Sequence, residues 1–199
     1  HQKFPFVIPP IYRRIADELL VELHLLSHQR NFKVDALFSI GLLSVYEAFM
    51  KGYKPHEHLS ELFKALCNSN GFDPKEITNL AKTTLEEFTQ YTSSEIENIF
   101  KEQTPNRQLT IEKENAYSRL TVIGLLVLLN QAKDAKSIQE ENINNLVFKI
   151  SLELGYSKTR VEKDISIYKS NLDKLKQALE LMKEAIESEK RKKDSANQK

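Results

Sequence analysis

Residues 120–129 read Leu-Thr-Val-Ile-Gly-Leu-Leu-Val-Leu-Leu, bracketed by Arg119 and Asn130. A bilayer needs about 20 apolar residues in a row, so this stretch is too short to span one. With apolar side chains on every side, it predicts a helix buried all round, the centre of a water-soluble core. Gly124 is its one break in side-chain volume.

Working outward, apolar residues recur every three or four positions almost everywhere, and helix punctuation separates the runs. Only five glycines occur, and no Asn-Gly or Asp-Gly turn marks a hairpin. The class is therefore all-α. Toward the N-terminus, Pro9-Pro10 opens a first helix. Its apolar face is Ile11, Ile15, Leu19, Leu23 and Leu26, and Leu20, Val21 and Leu25 widen it, predicting burial on more than one side. Ser27 to Lys33 is a connection. Asp35 caps a second helix that runs to Met50 and stops at Gly52. Gly41, inside it, costs about 1 kcal/mol relative to Ala and predicts a close helix crossing. Pro55 opens a third helix ending at Gly71, and Asp73-Pro74 caps a fourth. Ser94 with Glu97, and Ser137 with Glu140, have capping-box spacing for two more. Thr104 to Leu109 is a loop, and the helix after Ser137 stops at Gly155.

The segment after Ser157 is different. Val161, Ile165, Tyr168, Leu172, Leu175, Leu179, Met182 and Ile186 alternate spacings of four and three, a heptad seam with no Gly or Pro. The expected architecture is a compact helical bundle over 1–155, followed by a long coiled-coil-like helix over 156–199 with a basic, frayed tail. Leu172, Leu175, Leu179, Met182 and Ile186 are the expected partner-binding stripe, on a later half that projects from the body. The alternative is a helix lying along the body with the stripe as core edge.

Charge and chemistry exclude several functions. The net charge is +1, with the stretch from Ser157 at +4 and the remainder at −3, so there is no global field for nucleic acid. The run Lys190-Arg191-Lys192-Lys193 accounts for most of that asymmetry. The single cysteine, Cys67, lies among apolar helix positions and reads as a buried, inert thiol. No Gly-rich phosphate loop and no Gly-x-Ser-x-Gly elbow occurs. His24 and His28 stand one turn apart without a Glu between them to act as base, and His56 and His58 are two apart, on different sides of a helix. A di-iron bundle needs Glu-x-x-His on two helices, and Glu18, Glu22 and His24 do not meet that spacing. No catalytic residue, metal or cofactor is expected. Arg13 and Arg14 stand one turn before Asp17 and Glu18, the spacing of helix-surface ion pairs.

The stretch Ile11-Tyr12-Arg13-Arg14-Ile15-Ala16-Asp17-Glu18-Leu19-Leu20-Val21-Glu22-Leu23-His24-Leu25-Leu26-Ser27 resembles the signature helix of the thylakoid formation protein family. That family is also called a photosystem II biogenesis factor and occurs in cyanobacteria and chloroplasts. Asp35-Ala36-Leu37-Phe38-Ser39-Ile40-Gly41 through Tyr46 to Phe49-Met50-Lys51-Gly52-Tyr53 and Pro55 resembles its next block. The departure is Asp35-Ala36 where the family usually has Asp-Pro. The chain opens at His1 in mid-pattern, so further residues are expected before it. The resemblance implies a non-enzymatic accessory factor for photosystem II biogenesis and repair and for thylakoid formation. It implies action through the FtsH protease complex, contact with photosystem II assembly intermediates, and peripheral association with the thylakoid membrane on its cytoplasmic or stromal side. It gives Tyr12, Arg13, Arg14, Glu18, Glu22 and His24 as motif residues without a role, and leaves the oligomeric state open. The alternative is a general coiled-coil scaffold unrelated to photosynthesis.

Overall fold

A computed structural model describes residues 4–102 and 115–196 of the chain, without the side chains of 102, 189, 190 and 192–196. The expected loop from Thr104 to Leu109 falls outside the described residues, as do the side chains of Lys190, Lys192 and Lys193. The described residues are all-α: helices α1 Pro10–Ser27, α2 Ala36–Phe49, α3 Glu57–Ser69, α4 Pro74–Phe88, α5 Ser93–Glu102, α6 Arg119–Asn130, α7 Glu140–Glu153 and α8 Lys158–Ala196, with a 3-10 turn at Ala135–Ser137. They contain no strand. The chain divides into two compact units, His1–Ile165 and Ser166–Lys199.

The first unit is built around α6 and α2. Nine of the twelve α6 residues are buried, which makes it the most enclosed helix, and α2 follows with ten of fourteen. Val122, Leu126 and Leu129 are at most 5% exposed, and Leu120, Ile123, Leu125 and Leu128, on the other sides of α6, are buried as well. The expectation drawn from the 120–129 run holds, and the structure adds that α2 shares the centre.

Two glycines set how closely these helices cross. A Cβ on Gly41 would lie 1.8 Å from the Leu120 carbonyl oxygen, and one on Gly124 would lie 1.8 Å from the Leu37 carbonyl oxygen. Each helix thus presses a bare Cα against the other's backbone, where weak Cα–H···O contacts add to dispersion. Gly41 was legible as a crossing point from α2 alone. Its partner, Gly124, was not.

Helix starts follow local chemistry at some ends and tertiary contacts at others. Asp35 caps α2 by accepting the Phe38 N–H at 2.8 Å, and Asp73 caps α4 by accepting the Lys75 N–H at 2.8 Å. Gly52, Gly71 and Gly155 take positive φ after α2, α3 and α7, the left-handed stops expected of them. The helix expected from Pro55 begins at Glu57. The two expected capping boxes, Ser94 with Glu97 and Ser137 with Glu140, are not formed. At α5 the box is Thr92 with Glu95: the Thr92 N–H donates to Glu95 Oε2 at 2.7 Å and the Glu95 N–H to Thr92 Oγ1 at 3.3 Å. The intervening Ser93 donates its N–H and its hydroxyl to the Asp134 carboxylate at 2.8 and 2.9 Å. That tie fixes the start two residues early and leaves Glu97 to pair with Lys101 at 2.7 Å. At α7, Ser137 instead donates to the Asp134 carbonyl at 2.7 Å and closes the 3-10 turn.

Asn115 joins the approach to α6 to the approach to α2. It accepts the Lys33 N–H at 2.9 Å, donates to the Lys33 carbonyl at 2.7 Å, and donates to Asp35 Oδ2 at 3.0 Å. Cys67 is fully buried, and burial, with Asp73 nearby, pushes its thiol pKa up to about 12, so it stays protonated and unreactive.

Substituting Ala at Gly124 separates two readings of that position. In open space it would raise helix propensity by about 1 kcal/mol. Against the Leu37 carbonyl it must push the backbones apart, so Gly124→Ala is expected to lower unfolding free energy by about 3 kcal/mol in urea titrations. An unchanged or raised midpoint would refute the crossing. Leu126→Ala is expected to cost about 2–5 kcal/mol by the same measurement, and a cost below 1 kcal/mol would show that the site is not packed.

Candidate functional site

Within the first unit, the outer face of α1 forms one wall of a groove of about 830 Å³, and Tyr117, Ser118, Arg119, Arg160 and Asp164 line it opposite. The α1 wall departs from expectation. Val21 is 58% and Leu25 60% exposed, and Leu20 also reaches solvent. The helix buries one stripe, Tyr12, Ala16, Leu19, Leu23 and Leu26. The sequence contains enough Leu and Val to cover a second side, but among the described residues no element packs there to bury them.

The groove's charges are tied in pairs. Arg119 Nε donates to Glu22 Oε2 at 2.6 Å, across 97 residues of sequence. Glu22 is mostly buried, and that burial raises its pKa against the opposing pull of Arg119. The Tyr117 hydroxyl donates to Asp164 Oδ2 at 2.5 Å. Burial first, and then that bond, hold the phenol above its usual range. The Arg160 guanidinium stacks 3.8 Å from the Tyr117 ring centroid, a cation–π contact, and Tyr156 meets Tyr117 edge-on at 5.0 Å. Arg14 pairs with Glu18 at 3.0 Å on the exposed surface, where such a pair contributes at most about 1 kcal/mol.

The six motif residues do not form one site. Arg13, Arg14, Glu18 and Glu22 line the groove. Tyr12 is turned inward, its hydroxyl donating to the Lys51 carbonyl at 3.2 Å and its ring edge-on to Tyr53 at 5.1 Å. His24 is exposed beside His28, their rings 4.3 Å apart. His58 stacks on Phe6 at 3.7 Å. Among the described residues, no group of three or more His, Cys, Asp or Glu is placed to hold a metal ion. The opposite wall escaped sequence reasoning because Tyr117, Arg119, Arg160 and Asp164 come from two distant segments with no shared motif.

In the second unit, the stripe read from the heptads lies on α8. Leu175 is buried, Leu172 and Leu179 are half-buried, and Met182 and Ile186 are exposed at 47% and 53%. Leu181, outside the stripe, is exposed as well. Among the described residues no helix is long and apolar enough to cross a membrane.

Comparison with known proteins agrees with both the helical order and the motif. The profile described as "Thylakoid formation protein" matches residues 1–197. Protein Thf1 of Prochlorococcus marinus (strain NATL1A) is 48% identical over 182 residues, covering 92% of this chain and 89% of the relative. Protein Thf1 of Prochlorococcus marinus (strain MIT 9313) is 44% identical, covering 96% and 82%. A solved structure of Psb29 superposes with a TM-score of 0.86 at 30% identity, covering 96% of this chain and 93% of that one. The chain belongs to the thylakoid formation protein family.

Proposed function

We infer that this protein is a non-enzymatic accessory factor in photosystem II biogenesis and repair and in thylakoid formation. It acts by binding partners, chief among them the FtsH protease complex, with photosystem II assembly intermediates as further partners. Its place is peripheral, at the cytoplasmic or stromal face of the thylakoid membrane. Family membership over nearly the whole chain supports the process. The observation that carries the mode of action is the apolar seam of α8. Fully burying one Leu- or Ile-sized side chain contributes about 1.5–3 kcal/mol, yet Met182, Ile186 and Leu181 are left in water. Solvent-facing aliphatic residues in register along a 39-residue helix suit a helix-in-groove or helix-on-helix contact. In this reading Leu172, Leu175, Leu179, Met182 and Ile186 form the partner-binding stripe.

A full-length Met182→Glu/Ile186→Glu variant tests this. Placing two carboxylates in the seam is expected to lower capture of FtsH from thylakoid extract by at least about tenfold, equivalent to about 1.4 kcal/mol. The thermal midpoint should stay within about 2 °C, because both side chains are already exposed. Undiminished capture would refute the stripe as the binding surface.

A further inference from the structure

The heptad positions beside the α8 seam say what kind of helix covers it. With Leu172, Leu179 and Ile186 at position a and Leu175 and Met182 at position d, the e positions are Lys169, Lys176 and Lys183, and the sequence repeats Lys at 190. The g positions on the other flank are Asn171, Ala178 and Ala185. One edge of the seam is therefore a row of cations, and the other is small and uncharged. From Lys169 to Glu187 the acidic residues Asp173, Glu180 and Glu187 fall at b, and Glu184 falls at f, away from the seam; Glu162 at e, Asp164 at g and Glu189 at d lie outside this stretch. Lys176 and Lys183 are exposed and form no ion pair among the described residues.

This pattern argues against a second copy as the cover. In a parallel pair, e faces g of the partner helix, which would set Lys176 against Asn171 and Lys183 against Ala178 and leave both lysines uncompensated. In an antiparallel pair, e faces e, which sets lysine against lysine. Along residues 171–186 neither arrangement yields an interhelical ion pair, and the second is repulsive. Ala178 and Ala185 leave the opposite flank open to close approach by a bulkier side chain.

We propose that the α8 seam binds a heterologous amphipathic helix whose edge facing Lys176 and Lys183 carries Asp or Glu at heptad spacing. This deepens the functional reading above and rests on its assignment of the seam as the binding surface. Charge complementarity sets the partner's identity and register, and the apolar contact supplies the affinity.

The test uses the full-length chain and two synthetic four-heptad helices, both with Ile at a and Leu at d. One carries Glu at e and g, and the other carries Lys there. Titration followed by fluorescence anisotropy is expected to show the acidic helix binding at least about tenfold more tightly, with the difference shrinking as salt screens it. Lys176→Glu/Lys183→Glu should reverse the order of preference, and Met182→Glu/Ile186→Glu should remove binding of both. Equal affinity for the two helices, binding of neither, or dimerisation of the chain alone through α8 would each overturn the proposal. If Met182→Glu/Ile186→Glu still abolishes FtsH capture while the synthetic helices bind equally, the seam is a binding surface and only its acidic preference fails. If capture survives that variant, the functional reading itself fails.

Discussion

The backbone contact between Gly41 and Gly124 is the constraint on which the first unit depends. Two helices can approach this closely only where both lack a Cβ, and here each glycine faces the carbonyl of the residue four before its opposite number, Leu120 for Gly41 and Leu37 for Gly124. The close approach brings Leu37, Ile40, Leu120 and Ile123 into one buried layer. It also explains how α6 can be apolar on every side in a protein of this size. Besides α2, α7 and the 3-10 turn at Ala135–Ser137 also pack against α6.

Once α2 and α6 are locked, the segments leading into them are brought side by side. Asn115 and Asp35 join those segments through buried hydrogen bonds, so the polar groups at two helix starts satisfy each other across 80 residues of sequence. A buried carboxylate would otherwise be costly. The residues just after Asn115 then run past α1, where Tyr117 reaches Asp164 and Arg119 reaches Glu22. The groove on α1 is thus a consequence of the core crossing: its charged walls are held by pairs that exist only because the approach to α6 is pinned.

The second unit follows a different logic. Its helix needs no tertiary support to be recognised, since register alone separates seam from flank. Its seam is exposed at Met182 and Ile186 and flanked on one side by Lys176 and Lys183. A chain that belongs to the thylakoid formation protein family thus joins, along its sequence, a tightly packed first unit to a helix that exposes Leu181, Met182 and Ile186.

By itself, the sequence determined much that depends on local spacing. The all-α class, the Asp35 and Asp73 caps, the glycine stops at Gly52, Gly71 and Gly155, the central burial of 120–129, the inert Cys67 and the heptad register of α8 all follow from residues within a turn or two of each other. Tertiary structure decided what depends on which distant element arrives. It left Val21 and Leu25, which spacing had assigned to a second buried side, exposed, because no helix among the described residues packs there. It moved the α5 capping box from Ser94 and Glu97 to Thr92 and Glu95, because Asp134 claims Ser93. It supplied Gly124 as the answer to Gly41, and it brought Arg119 to Glu22. Two Ser/Thr-x-x-Glu strings in one segment are equivalent to local chemistry, and an amphipathic stripe looks the same whether or not a neighbour covers it. Only the positions of the other helices break those ties.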